Sequence, residues 1–299
     1  MRSGSLRARL QTLRADVGRA PSTAIQPPTP ASKQRRLSIA GLANLVNGTE
    51  VAEGLIERRV HYPLSDTVGN HPIGHKLLST LNAERDTDHC SVAILDTETT
   101  GLSGGVGTMA FLVGVVVCRA DAITLVQLLL ARMGAESELL RRVNLLLENS
   151  TAIVTYNGKS FDVPLLSSRM NLHRIASPFS RLAHFDLVHP IRAAFNDSWD
   201  DCRLQTVERN LLAITRHDDL GGALIPQVWR DWLTLGRPNE LVRVLEHNEQ
   251  DLLSLTVLPS KLDEAVKAPA KHGASVAATP AACSLSSRAI KIRICILPW

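Results

Sequence analysis

Asp96-Thr97-Glu98-Thr99-Thr100-Gly101 follows a short apolar run, Ser91 to Leu95, that reads as a strand. Side chains alternate across a strand, so Asp96 and Glu98 share a face, and two carboxylates crowded there repel unless something positive lies between them. A divalent cation supplies that charge. Oxygen donors without Cys, and without His at tetrahedral spacing, favour Mg²⁺ or Mn²⁺ over zinc. Taken alone, the motif is equally a pair of acids opening a turn. A further acid, Asp162, closes Asn157-Gly158-Lys159-Ser160-Phe161-Asp162 and falls in the first turn of a predicted helix, where the helix dipole also favours an acid. His247 and Asp251 stand at i and i+4 in a long helical pattern. They share a helix face and can present an imidazole and a carboxylate to one site, or form a surface pair.

The elements that must hold these residues are legible between Leu37 and Asp263. Asn47-Gly48 between apolar runs signals a hairpin and hence a small β preface. Ser91 to Leu95, Met109 to Cys118 and Ala122 to Ala131 read as three strands, with further strands at Thr151 to Thr155 and Ala183 to Phe185. Helical spacing marks Glu136 to Leu147, Ser160 to Met170 with Ser160 as cap, Leu187 to Phe195, Leu204 to Leu212, Gln227 to Leu235 and Glu240 to Leu258. Strands alternating with helices predict an α/β fold, a mixed sheet covered by helices.

With 299 residues, 44% hydrophobic and 21% charged, the chain is neither a fibrous nor a wholly disordered protein. It shows no apolar run of membrane-spanning length and no secretory leader, so no membrane association is expected. The five cysteines, Cys90, Cys118, Cys202, Cys283 and Cys295, form no C-x-x-C pair, which fits a reducing, cytoplasmic setting. The net charge of +4 is unevenly spread: residues 1–40 carry eight basic side chains against Asp16 alone, leaving the rest at −3. A body uniformly coated in basic charge for duplex DNA is therefore excluded, and any nucleic-acid site must be local. The expected organisation is a basic arm at 1–36, the preface at 37–89, the main domain at 90–263 and a low-complexity tail at 264–299.

In order and spacing, the three acidic pieces resemble the DEDD superfamily of 3′-to-5′ exonucleases. The words His184-Phe185-Asp186-Leu187, Arg203 to Arg209, Asp218-Asp219-Leu220-Gly221-Gly222 with Ile225-Pro226, and His247 to Leu255 look like its YprB-like branch. The resemblance implies a ribonuclease H-like fold with a five-stranded mixed sheet flanked by helices. It implies two-metal hydrolysis of single-stranded DNA or RNA ends, with two Mg²⁺ or Mn²⁺ ions ~3.5–4 Å apart. Asp96 would bridge both ions, Glu98, Asp162 and Asp251 would complete their shells, and His247 would orient or deprotonate the attacking water. The better-known members pair His-x4-Asp or Tyr-x3-Asp, whereas this chain has His-x3-Asp. The competing reading is a binding module of the same fold with little turnover.

Other motifs carry less. Gly105-Val106-Gly107 leads into a β-branched run where a dinucleotide fingerprint needs a helix. Gly158-Lys159-Ser160 lacks the upstream glycine of a P-loop. His71 and His75 flank Pro72 and Gly74 and so read as a turn, Asp186 reads as a capping residue, and Trp229 and Trp232 read as core.

Overall fold

The computed structural model describes residues 37–74, 77–81, 92–101, 107–118 and 123–267. The basic arm at 1–36, His75, Gly105, Val106 and the tail beyond 267 lie outside them. The chain opens with α1 (Ile39–Leu45), β1 (Thr49–Ala52), β2 (Leu55–Tyr62), β3 (Thr67–Val68), β4 (His71–Pro72) and α2 (Leu77–Thr80). The main run follows as β5 (Val92–Thr99), β6 (Ala110–Cys118), β7 (Ile123–Leu130), α3 (Glu136–Leu147), β8 (Ala152–Thr155), α4 (Asp162–Leu172) and β9 (Ala183–Asp186). Helices α5 (Val188–Phe195), α6 (Leu204–Val207), α7 (Ile225–Leu235) and α8 (Asn239–Lys267) complete it. Among the described residues no helix is long and apolar enough to cross a membrane.

The sheet has seven strands in the order β1-β2-β7-β6-β5-β8-β9, not the expected five. The added pair is the preface: β2 runs antiparallel along the whole of β7, from Leu55 opposite Leu130 to Tyr62 opposite Ile123. The strands β5, β6 and β7 form an antiparallel meander, and β8 and β9 add in parallel beside β5. The preface turn also differs from expectation. Asn47-Gly48 ends α1 in a Schellman arrangement, with Asn47 left-handed at φ 54° and the Gly48 amide bonded to the Ala43 carbonyl at 2.8 Å. The reversal between β1 and β2 falls instead at Glu53-Gly54, with Gly54 at φ 82°.

The β-branched runs of β6 and β7 are buried on both faces, which is why they read as nearly continuous apolar segments. On one face Ala93 and Leu95 join Val113, Leu128, Leu139, Leu166 and Trp229 in a core beneath α3, α4 and α7. Trp229 and Trp232 donate their indole N–H groups to the carbonyls of Leu130 and Ala131, confirming them as core residues. On the other face Val92 and Ile94 pack with Leu125, Val154 and the α8 residues Leu252, Leu255 and Leu258. The expected helix Leu204 to Leu212 is α-helical only to Val207; a π turn over Glu208–Leu212 follows and carries the fully buried Glu208. Phe161, not Ser160, occupies the cap position of α4.

Helix α4 is clasped to α3 by Glu136, which receives Arg169 Nε at 2.6 Å and Nη2 at 2.5 Å and lies 2.8 Å from His173 Nε2. Burial alone would raise the Glu136 carboxyl, but the bonds from Arg169 and His173 outweigh it and hold it below the usual range. An acid so depressed stabilises the fold above its unfolded value, near 4.3, and loses that contribution as pH falls through the folded value. Glu136→Ala is therefore expected to lose about 3 kcal/mol at pH 7 by leaving Arg169 without its carboxylate. In urea titrations its deficit against the wild type should shrink below pH 4.

Candidate active site

Strand β5 changes character along its length. Val92 to Leu95 are fully buried, whereas Asp96 to Thr99 keep partial exposure at the end of the sheet. A register shift at Glu98/Thr99 marks the same end, a common way of re-aiming side chains beside a site. Asp96 and Glu98 lie on the α8 face, as their spacing predicts. The same alternation sends Thr97 to the opposite face, where its hydroxyl donates to Asp162 Oδ1 at 2.5 Å. Asp162 thus approaches the strand end from the side covered by α4.

The loop that delivers Asp162 is tightly specified. Asn157 is left-handed at φ 66°, and a Cβ at Gly158 would stand 2.5 Å from Thr155 Cβ. Asp186, at the end of β9, accepts the backbone N–H groups of Asn157 at 2.6 Å and Lys159 at 2.9 Å. It also takes that of Val188 at 3.3 Å. Leu187, not Asp186 as expected, occupies the cap position of α5, and Asp186 ends β9, where its shorter bonds hold the second motif in place.

From α8, His247 Nδ1 lies 2.7 Å from Asp219 Oδ1, and its Nε2 stands 3.9 Å from Glu98 Oε1 and 3.7 Å from Asp251 Oδ2. Asp219 lies below the usual carboxylate range: burial would raise it, but His247 and Arg216 outweigh that. As an ionised group it only accepts, so Nδ1 is the donating nitrogen and Nε2 faces the acids. Asp251 is held by Arg216 Nη2, and the same guanidinium binds Glu208 at 2.7 Å through Nε and again through Nη2, and Asp219 at 3.2 Å through Nη1. Sequence reasoning passed over Arg216, Glu208 and Asp219 as site residues. Arg216 and Asp219 lie in a non-periodic stretch where nothing in the residue types separates a site from a loop, and Glu208 lies within a helical pattern that gives no sign of its ion pair.

Burial pushes the Asp96 carboxyl well up, and repulsion from Asp251, Asp162 and Glu98 adds to it; the bond from Asn248 pulls the other way. Glu98 is raised by burial and by Asp251, Asp162 and Asp219, against the pull of Arg216. Asp162 is pushed up to about 6, chiefly by burial. Asp96, Glu98, Asp162 and Asp251, the expected metal ligands, thus share one electrostatic neighbourhood. They do not converge on a point: among the described residues no group of three or more His, Cys, Asp or Glu side chains is gathered closely enough to hold an ion as it stands. Thr97 engages an oxygen of Asp162, and Arg216 one of Asp251. The donor set nevertheless fits a hard divalent cation, being all carboxylate oxygen and mutually repelling.

Residues 93–262, more than half of the chain, match the RNase_H_2 family of the RNase_H superfamily. The chain belongs to the ribonuclease H superfamily. Within it, the protein is similar to the uncharacterized protein YprB of Bacillus subtilis (strain 168), at 36% identity over 214 residues. That similarity covers 67% of this chain and 51% of YprB, so the chain spans about half the length of that relative. A family B DNA polymerase from the archaeon Pyrobaculum calidifontis superposes with a TM-score of 0.47 and 16% identity, over 59% of this chain and 25% of that one. At that level of likeness no conclusion about activity follows. The seven-stranded mixed sheet with helices on both faces is consistent with the ribonuclease H-like fold.

A buried acid whose folded value exceeds its unfolded one takes up a proton on folding between the two. The cation-free protein should accordingly lose stability as pH rises from about 4 towards about 6. Asp162→Asn removes that penalty. The shift is about two units and one unit corresponds to about 1.4 kcal/mol, so the variant should be more stable than wild type at pH 7 by roughly 3 kcal/mol. The gain should vanish below pH 4. Melts in chelator at both pH values check this, and added Mg²⁺ should then stabilise the wild type more than the variant.

Proposed function

We propose that the protein is a divalent-metal-dependent 3′-to-5′ exonuclease that hydrolyses phosphodiester bonds at single-stranded DNA or RNA ends. The observation that carries the reading is the meeting of three separate motifs at the end of β5. Asp96 and Glu98, Asp162, and Asp251 press on one another electrostatically beside a histidine whose far nitrogen is engaged by Asp219.

In this reading Asp96, Glu98, Asp162 and Asp251 would hold the Mg²⁺ or Mn²⁺ ions. Such ions supply charge neutralisation to the scissile phosphate and to the departing oxygen. Asp219 holds the His247 ring so that Nε2 faces Glu98 and Asp251, where it takes a proton from the attacking water. The exposed Phe161, next to Asp162, and Lys159 lie on the same loop and offer an aromatic face and a cation to an unpaired strand. The catalytic unit would span 90–263.

One observation favours a second reading, a nucleic-acid-binding module with little turnover. Arg216 already neutralises Asp251, the position at which a cation would otherwise be needed.

The test is a 5′-labelled single strand incubated with Mg²⁺ or Mn²⁺. A ladder shortening from the 3′ end is expected, silent in chelator and silent for Asp96→Asn. His247→Ala should slow the rate by about 10²–10⁴. Cleavage that persists in excess chelator, or in a folded Asp96→Asn protein, overturns the nuclease reading; binding of the strand without cleavage supports the second one.

A further inference from the structure

One transverse row of the sheet ends on Asp96. Arg58 on β2 lies opposite Gln127 on β7, Gln127 lies opposite Gly114 on β6, and Gly114 lies opposite Asp96 on β5. Directly opposed residues on neighbouring strands share a face, so the row runs beneath α8. Gly114 leaves a gap in it. A Cβ there would stand 2.2 Å from Asn248 Oδ1 and 2.4 Å from Leu252 Cδ1, so the carboxamide of Asn248 enters the row only because position 114 is glycine.

The hydrogen bonds along the row run in one direction. Arg58 Nη1 donates to Gln127 Oε1 at 2.8 Å, Gln127 Nε2 donates to Asn248 Oδ1 at 2.9 Å, and Asn248 Nδ2 donates to Asp96 Oδ2 at 2.8 Å. A guanidinium has donors only, so Gln127 must turn its oxygen towards Arg58 and its NH₂ towards α8. There the NH₂ also donates to the Leu245 carbonyl at 2.8 Å. Asn248 must then offer its oxygen to Gln127 and its NH₂ to Asp96. Reversing either buried amide would set oxygen against oxygen. Glu249, the next residue of α8, accepts from Arg58 at 2.7 Å and from the Tyr62 hydroxyl, and so keeps the cation at its end of the row.

We propose that Arg58, Gln127 and Asn248 are positioning residues for Asp96: the cation on β2 sets the polarity of the row, and the row delivers an N–H to Asp96 Oδ2 that fixes how this carboxylate faces a divalent cation. The role assigned to Asp96 rests on the nuclease reading, whereas the polarity of the row is a property of the protein without metal.

Gln127→Glu separates polarity from packing. It keeps the shape and still accepts from Arg58, but its second oxygen cannot donate to Asn248. In protein labelled with nitrogen-15 at asparagine, the Asn248 side-chain NH₂ signals should be protected from exchange in the wild type and lose that protection in Gln127→Glu. By calorimetry the Kd for Mn²⁺ should rise about tenfold. Arg58→Met, altered at the partly exposed end of the row, should move both readouts the same way by less, and Arg58→Lys should recover part of the loss. Unchanged Asn248 signals and Mn²⁺ affinity in either folded variant overturn the proposal. Should the wild type bind no Mn²⁺, the nuclease reading falls, and the row is then decided by the Asn248 signals alone.

Discussion

Negative charge crowded at the end of β5 is the constraint that the rest of the molecule accommodates. An uncompensated buried charge costs several kcal/mol, and hydrogen bonds to charged groups return only about 1.5–3 kcal/mol each. The acids accordingly have compensating partners: Asn248 for Asp96, Thr97 for Asp162, and Arg216 for Asp251 by direct contact and for Glu98 through space. These partners share the charge without removing it. Asp96 and Glu98 stay well above their ordinary values, the electrostatic condition under which a divalent cation gains most from entering.

Helix α8 is the element on which these demands meet. Within little more than two turns it sends Leu245 and Leu252 into the core, His247 and Asp251 to the site, Asn248 into the gap over Gly114, and Glu249 to Arg58 and Tyr62. A helix that serves core and site at once cannot carry a clean apolar stripe, since successive residues point about 100° apart. Its polar face is buried where it crosses β5 and β6, and the cost is met by making each buried amide both donate and accept.

The preface is structural in a way that membership of the ribonuclease H superfamily does not require. By pairing along all of β7, β2 covers what would otherwise be an open sheet edge and brings Arg58 opposite Gln127. A hairpin that extends the sheet therefore also places a permanent cation three strands away from Asp96.

Much of this was legible in the chain itself. Strands β5 to β9 and the helices α3 to α5, α7 and α8 follow from apolar period and length, because a half-buried helix or a fully buried strand imprints its spacing on the residues directly. The Asp-x-Glu spacing places Asp96 and Glu98 on one face for the same reason. Two signals stood in the sequence without a local meaning: the lone Gln127 inside an apolar strand and the Gly114 inside a β-branched run. Both mark contacts with residues more than a hundred positions away, and only the crossing of α8 over the sheet explains them. Tertiary structure alone decided the seven-stranded sheet, since a hairpin's sequence does not say which edge it joins. It also decided that Asn47-Gly48 ends a helix, because the same left-handed backbone serves a helix terminus and a tight hairpin alike. Arg216 and Asp219 reach the site from a loop without period, so their roles depend on chain path and long-range charge. Residue type and spacing determine which face a side chain takes, but charge acts through space, and its partners are settled only when the chain has folded.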